Sequence, residues 1–238
     1  MPAQRPTIAA ILLLTAALGG CSYRGETGNP VATSLTYFSY LAADDIRAMC
    51  GPGAATRYRI VYNGIYEEQV RRYDIVGDLQ GGGILTAHAS VPSNLTEIRS
   101  NDLFAPWRDR QGTATLDRAG MEGLRAALEQ SGAFGPAPSG ALLRSQEYYW
   151  VTHACVDGRY HFNAFIFPSA RFAALTFPDV LLRQDQTGVP FKKAVRPGED
   201  PNSVTSYPPY GLRDTQEQVR GEFVLRVGDN RLRRGLFD

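Results

Sequence analysis

The sequence predicts an α+β fold, in which an antiparallel sheet made of β-hairpins carries one or two helices on a face. Two segments rich in β-branched and aromatic residues each contain a dipeptide typical of a two-residue turn, Asn63-Gly64 in one and Asp157-Gly158 in the other. An amphipathic helix follows Asp117 between them. The composition, 43% hydrophobic and 21% charged residues, is that of a globular protein.

The first hairpin is predicted around Asn63-Gly64. A two-residue turn there places Tyr62 opposite Ile65 and Arg59 opposite Glu68. We therefore expect an aromatic-aliphatic pair on one face of this hairpin and an ion pair on the other face.

The second hairpin is predicted around Asp157-Gly158, with Val156 opposite Arg159. Because side chains alternate along a strand, this register divides the hairpin into two faces. One face, which we expect to be buried, consists of Tyr149, Val151, His153, Cys155, Tyr160, Phe162, Ala164 and Ile166.

The other face of the second hairpin carries Trp150 and Phe165. A helix or the loop before Gly112 can cover these rings. Alternatively, they form with His161 an exposed aromatic surface of the kind that binds a partner protein or a glycan. The sequence leaves both alternatives open, and Trp150, His161 and Phe165 are its candidate binding surface.

Aspartates mark two of the helix starts. A carboxylate at Asp44 or Asp45 can accept the free amide hydrogens of a short helix that ends at Met49, and Asp117 can do the same for a longer helix that ends at Gly132. The remaining elements are a strand from Ile84 to Ser90, an irregular segment from Pro92 to Gly112, a helix within Pro178 to Gln184 and a strand from Phe223.

The first twenty residues have the features of a secretion signal. A single charge, Arg5, precedes an apolar run from Ile8 to Leu18. As a helix this run spans roughly 16 Å, about half of the 30 Å hydrocarbon core, so it is too short for a stable membrane anchor. The tetrapeptide that follows, Leu18-Gly19-Gly20-Cys21, resembles the lipobox of bacterial lipoproteins.

The resemblance implies cleavage before Cys21, acylation of its thiol and attachment to a bacterial membrane through lipid. The domain would then face the periplasm, and Ser22 in place of an aspartate implies the outer membrane. The alternative is an ordinary secretory signal with an accidental cysteine. Either way the chain is exported, so Cys50 and Cys155 form an even pair in an oxidising compartment. We expect a disulfide between them, with two buried free thiols as the alternative.

These signals divide the chain into four parts. They are a signal peptide (1–20), a tether (21–34), an α+β domain (35–187) and a proline-rich extension that ends in a short β segment (188–238). Removal of the signal takes away Arg5 as its only charge, which leaves 24 basic and 24 acidic side chains. A neutral, exported chain argues against nucleic acid as a partner.

The residues that commonly carry chemistry do not converge in the sequence. His153 and His161 lie on opposite faces of their hairpin, so they cannot share a metal ion, and only His88 remains as a partner for either. His153 is best interpreted as a core residue that donates one hydrogen bond. The acidic pairs Asp44-Asp45 and Glu67-Glu68 have structural explanations, and no G-x-S-x-G motif occurs. We expect no metal, no cofactor and no catalytic residue.

Arginines are concentrated near the C-terminus, at Arg226, Arg231, Arg233 and Arg234. If lipid holds the domain at a membrane, these side chains can contact anionic head groups. The alternative is the solvated end of a hairpin.

A second resemblance covers residues 116–167. Leu124-x3-Leu128-x5-Phe134, followed by Tyr148-x-Trp150 and Asp157-Gly158, is similar to the helix and aromatic hairpin of emfourin-type inhibitors of thermolysin-like proteases. The likeness implies an architecture, and a protease-inhibitor-like module as one alternative function. Our first expectation is a non-enzymatic binding or structural module that contacts an envelope protein or a cell-wall component.

The alternative from another class is a hydrolase of envelope polymers. It requires His88 or His161 to lie within about 3.5 Å of a carboxylate inside a pocket.

Overall fold

The computed structural model describes residues 37–66, 68–90, 110–196 and 223–234. Within these ranges the chain forms nine strands and five helices, and every strand pair is antiparallel. The predicted α+β class is confirmed. The predicted signal peptide, lipobox and tether lie outside the described residues.

Two sheets and five helices make up the described chain. The strands are β1 (Arg57–Gly64), β2 (Val70–Gly77), β3 (Gly83–Ser90), β4 (Arg110–Leu116), β5 (Leu142–Arg144), β6 (Tyr148–Val156), β7 (Arg159–Ile166), β8 (Val224–Val227) and β9 (Leu232–Arg234). The helices are α1 (Tyr37–Ala42), α2 (Asp44–Met49), α3 (Arg118–Gln130), α4 (Ala170–Ala173) and α5 (Phe177–Gln184). The large sheet has the strand order β4-β3-β2-β1-β6-β7, and the small sheet has the order β5-β8-β9.

Helices α3 and α5 cover one face of the large sheet. The buried stripe of α3, which includes Leu124 and Leu128, shares a core with Ile60 and Tyr73 of the sheet. Phe177 of α5 is fully buried in the same core. The face is apolar because alternate residues of the strands point to it, as a half-covered antiparallel sheet requires.

The opposite face of the large sheet is also covered. The small sheet packs Leu143, Leu225 and Val227 against Val61 and Val151 of the large sheet. Helices α1 and α2 lie over the same face, where Ile46 and Cys155 pack together. Burial on both faces explains why all nine residues of β6 are buried, polar ones included.

The longer helix and the second hairpin are confirmed. The carboxylate of Asp117 accepts a hydrogen bond from the Gly120 amide at 2.7 Å, and the helix ends before Gly132, whose φ is +74°. Val156 pairs with Arg159 as predicted. The predicted elements at Ile84 to Ser90, Pro178 to Gln184 and Phe223 correspond to β3, α5 and β8.

The predicted turn at Asn63-Gly64 is wrong. Both residues belong to β1, Asn63 pairs with Val70, and residues 65–69 make the connection. The reason is non-local, because the Asn63 side chain donates to the backbone oxygens of Ser145 at 3.0 Å and Glu147 at 2.6 Å. These contacts hold it in the strand beside β6, and Ile65 takes the positive φ instead.

Two predicted roles of charged residues change with this register. Arg59 lies opposite Asp74 and not opposite Glu68. The cap of α2 is Ala43, with a φ of +46° and no side-chain hydrogen bond. Neither Asp44 nor Asp45 is needed as a cap, because Asp44 binds Arg47 within the helix at 2.5 Å and Asp45 binds Arg59.

The segment from Pro92 to Gly112 ends in a strand. Residues 110–116 form β4, and Gly112 pairs with Ala87. Sequence reasoning missed this strand, because β4 lies at the sheet edge and most of its polar side chains are exposed. Described residues beyond 187 also contribute to the core, since Phe191 packs on the α3 side and Leu225 packs from the small sheet. In the ranges described, no helix is long and apolar enough to cross a membrane.

Candidate functional site

The disulfide between Cys50 and Cys155 is present, which confirms the predicted pairing. The Cα atoms are 5.5 Å apart and the cysteines are 105 residues apart in sequence. Cys155 points into the face predicted from the hairpin register and is 2% exposed. The bond ties the end of α2 to β6. The bond accounts for two of the three cysteines of the chain, and the third, Cys21 at the predicted lipobox, lies outside the described residues.

His153 is fully buried beside this disulfide. Its Nε2 lies 2.8 Å from the carbonyl oxygen of Leu41, and its Nδ1 lies 2.7 Å from the hydroxyl of Tyr160. A carbonyl only accepts, so Nε2 carries the proton, and Nδ1 accepts from Tyr160. Burial, together with the nearby Arg59 charge, lowers the pKa of His153 to about 3. A neutral ring with both nitrogens engaged is a structural link to α1, which is the core role predicted for it.

Arg59 lies directly opposite His153 in the pairing of β1 with β6 and forms a second polar link to the helices. Its guanidinium donates to both oxygens of Asp45, at 2.7 and 3.0 Å, and to Asp74 at 2.6 Å. Although burial opposes its charge, the carboxylates of Asp74 and Asp45 hold the pKa of Arg59 above its ordinary value. The bidentate contact with Asp45 fastens α2 to the sheet, and the contact with Asp74 fixes the guanidinium from a second side.

On the α3 side, Arg71 plays a corresponding role for residues 185–196, which we call the strap. Arg71 is 1% exposed and forms a salt bridge with Asp185. It also donates to the backbone oxygen of Val189 and, at 3.0 Å, to Gln69. Sequence reasoning missed this network, because Arg71 lies in a strand that was read in the wrong register.

The strap and helix α5 cover the aromatic residues that the sequence proposed as a surface. Trp150 and Phe165 are each 1% exposed. The Trp150 ring lies 5.4 Å from that of Phe177 and 6.2 Å from that of Phe191. Of the two alternatives, the covered one therefore holds, and these two residues cannot form a contact surface. His161 is half-buried, with its ring 4.9 Å from that of Phe134.

The histidines are too far apart to act together. His88 lies on β3 and His161 on β7, with three strands between them, so the sheet separates them by about 19 Å. They also point to opposite faces, since His88 pairs with Arg72 and His161 pairs with Ala154 of the α3 side. In the part of the chain that the structure describes, no group of three His, Cys, Asp or Glu side chains could hold a metal ion.

Among the carboxyl groups of the described residues, Glu147 is the one whose pKa is shifted upward. It lies 7% exposed where β5 leads into β6, with Arg144 as a partner at 3.5 Å. Burial raises the pKa of its carboxyl to about 7, against the opposing effect of the Arg144 charge. Its backbone amide and carbonyl are bound to Arg144 and to Asn63. The group therefore belongs to the corner that joins the two sheets.

The small sheet presents its basic side chains outward. Arg226 on β8 lies directly opposite Arg233 on β9, and both are exposed. Arg144 on β5 points to the same side, because Leu142 pairs with Arg226 and side chains two residues apart share a face. The arginine face is defined here as Arg144, Arg226 and Arg233, with Val224, which is 41% exposed, and half-buried Leu142 beside them.

The arginine face is suited to anions. Directly opposed side chains are about 5 Å apart at Cβ, and like charges in that position destabilise a sheet. Within the described ranges, no ion pair involves Arg226 or Arg233, although Asp229 lies in the turn between their strands. Arg226 donates to the backbone oxygen of Gly140 at 3.2 Å. Two opposed guanidinium groups can together bind a phosphate or carboxylate in a bidentate manner.

The sequence identified Arg226 and Arg233 as part of a basic cluster, whereas it gave no sign that Arg144 joins them.

Comparisons with protein families, with curated proteins and with solved structures found no significant match to this chain.

Proposed function

We propose that this chain is an exported lipoprotein, anchored through acylated Cys21, whose disulfide-bonded α+β domain is a non-enzymatic binding module of the bacterial envelope. The observation that carries the proposal is the pairing of Cys50 with Cys155. Disulfides persist in oxidising compartments, in agreement with export. The pairing also accounts for two of the three cysteines and leaves Cys21 at the position where the lipobox requires a thiol.

The internal chemistry of the domain supports binding over catalysis. The buried ionisable groups act as links: His153 holds α1, Arg59 holds α2 and Arg71 holds the strap. A general base needs a lone pair directed at a substrate, whereas the Nδ1 lone pair of His153 accepts from Tyr160. The position of His88 and His161 on opposite faces of the sheet likewise argues against a catalytic metal shared by the two.

The anchoring is tested by growing cells with a labelled fatty acid. The wild-type chain should incorporate the label, shorten by the length of residues 1–20 and fractionate with membranes. The Cys21→Ser variant should lose label and membrane association, and globomycin should block the shortening. A matched control, Ser22→Ala, leaves the thiol in place and should be labelled normally. Label retained by Cys21→Ser, or processing insensitive to globomycin, would contradict the proposal.

The binding role is tested by cross-linking in intact cells, followed by purification of the acylated protein from solubilised membranes. A reproducible envelope protein or cell-wall fragment should be recovered with the wild type. Recovery of polymer cleavage products by the purified domain alone would instead favour a hydrolase.

A further inference from the structure

We propose that the arginine face docks the domain onto the anionic head groups of the membrane that carries its lipid. The inference deepens the proposed function and rests on it, because it presumes that the domain is held at a bilayer. Its basis is the juxtaposition that strand pairing creates: Arg226 opposite Arg233, with Arg144 on the same exposed face.

The opposed arginines weaken the small sheet unless an anion lies between them. The sheet is short, since β5 and β9 have three residues each, and a direct like-charge pair opposes the pairing of β8 with β9. Departures from the local rules of stability that have no compensation within the fold are typical of functional positions. A phosphate bound by both guanidinium groups turns the repulsion into two charge-assisted contacts.

The apolar neighbours of these arginines fit a bilayer better than they fit a dissolved polyanion. Val224 is 41% exposed within the face, and Leu142 lies beside Arg226. At an interface, arginine side chains hold their charged ends at the head groups while small apolar side chains contact the acyl boundary. Exposed arginine with exposed valine on one face of the sheet matches that layering.

Positive charge is concentrated locally on a chain that is neutral overall from Cys21 onward. Residues 223–234 contain four arginines and one aspartate, whereas the chain from Cys21 onward has equal numbers of basic and acidic side chains. The attraction is therefore orientational, because one side of the domain is favoured over the others. Fifteen residues lie between Cys21 and α1, and fully extended they span at most about 54 Å, so the domain stays within reach of the membrane.

The test uses the chain from residue 21 to 238 with Cys21→Ser and its disulfide intact, so that no lipid contributes to binding. It is mixed with vesicles of phosphatidylcholine alone and with vesicles that contain 30% phosphatidylglycerol, and bound protein is measured by sedimentation. A basic side chain near an anionic surface contributes about fivefold to the binding constant, so the Arg226→Gln/Arg233→Gln variant should bind the anionic vesicles twenty- to thirtyfold more weakly.

The matched control is Arg159→Gln/Arg183→Gln, which removes two exposed arginines from β7 and α5 and changes the net charge equally. It should bind as well as the parent, and the Arg226→Lys/Arg233→Lys variant should keep most of the affinity. Unfolding midpoints of all variants are measured first, and if that of Arg226→Gln/Arg233→Gln is lowered, this variant is replaced by Arg144→Gln/Arg233→Gln. The proposal would be overturned if both glutamine double variants lost vesicle affinity equally, or if the parent bound vesicles without anionic lipid as well as anionic ones. Preference for a soluble polyanion over the vesicles would also overturn it.

This result is separable from the anchoring. Failure of the parent chain to bind anionic vesicles, with acylation of the wild type intact, would reject the docking face alone. Absence of acylation would reject the proposed function and leave the vesicle measurement as it stands.

Discussion

Replacement of Cys50 and Cys155 by alanine removes the covalent link between α2 and the centre of the large sheet. Both the variant and its reference carry Cys21→Ser, so that neither is acylated or has an odd thiol. The substitution keeps the surroundings apolar, since Cys155 packs against Ala43 and Ile46. The change therefore acts chiefly on the unfolded chain, which gains the freedom that the bond had removed.

The size of that effect follows from the loop that the disulfide closes. The cysteines are separated by 105 residues, and the chain-entropy relation gives about 5 kcal/mol for a loop of that length at room temperature. Domains of this kind are stable by about 5–15 kcal/mol in total. The variant should thus be folded marginally if at all, and partial unfolding should begin at α1 and α2.

Urea denaturation followed by fluorescence measures the difference, because Trp150 is buried in the core and reports on global unfolding. Hydrogen exchange of the α2 amides reports on the local step. An unfolding free energy within about 1 kcal/mol of the reference would refute the reasoning, since loop closure would then contribute little. Exchange of α2 no faster than that of β1 would refute the local part.

Three further predictions concern single groups. The ring of His153 should stay neutral at pH 5 in NMR spectra, because its pKa in the folded protein is about 3. The unfolded chain binds this proton near pH 6.5, so the free energy of unfolding should fall as the pH drops from about 6.5. Titration of the folded ring near pH 6.5 would contradict this. The pKa of Glu147 is raised to about 7 in the folded protein, so the free energy of unfolding should decline as the pH rises from 4.5 through 7. In urea titrations, Glu147→Gln should flatten that decline and have no effect at pH 4. Asp117→Ala should cost about 1 kcal/mol through the lost cap, whereas the exposed control Glu122→Ala should cost less than half of that in thermal unfolding.

The two turn dipeptides show how far local sequence reaches. At Asp157-Gly158 both residues have positive φ, +52° and +71°, so the register of β6 with β7 follows by counting outward. Asn63-Gly64 has the stronger turn preference, yet it lies in a strand. The Asn63 side chain satisfies backbone oxygens more than eighty residues away, and no local rule contains that contact.

The candidate site divides in the same way. Burial of Cys155 and His153 could be predicted, because it depends only on alternation within one hairpin. The cover over Trp150 could not, since Phe191 belongs to a proline-rich segment with no periodic pattern. The arginine face is likewise non-local, because Arg144 joins Arg226 only when β5 pairs with β8.

Strongly shifted pKa values usually direct attention to functional sites, but in this domain they indicate how the fold is held together. His153 and Arg59 lie on one side of the sheet, where His153 is bound by Leu41 of α1 and Tyr160 of β7, and Arg59 by Asp45 of α2 and Asp74 of β2. Groups satisfied in this way have nothing left to offer a ligand. Arg226 and Arg233 show the reverse, since they are exposed, face each other and add repulsion to a short sheet. An unfavourable arrangement on the outside is more informative about binding here than any favourable one inside, because an external anion can relieve the repulsion.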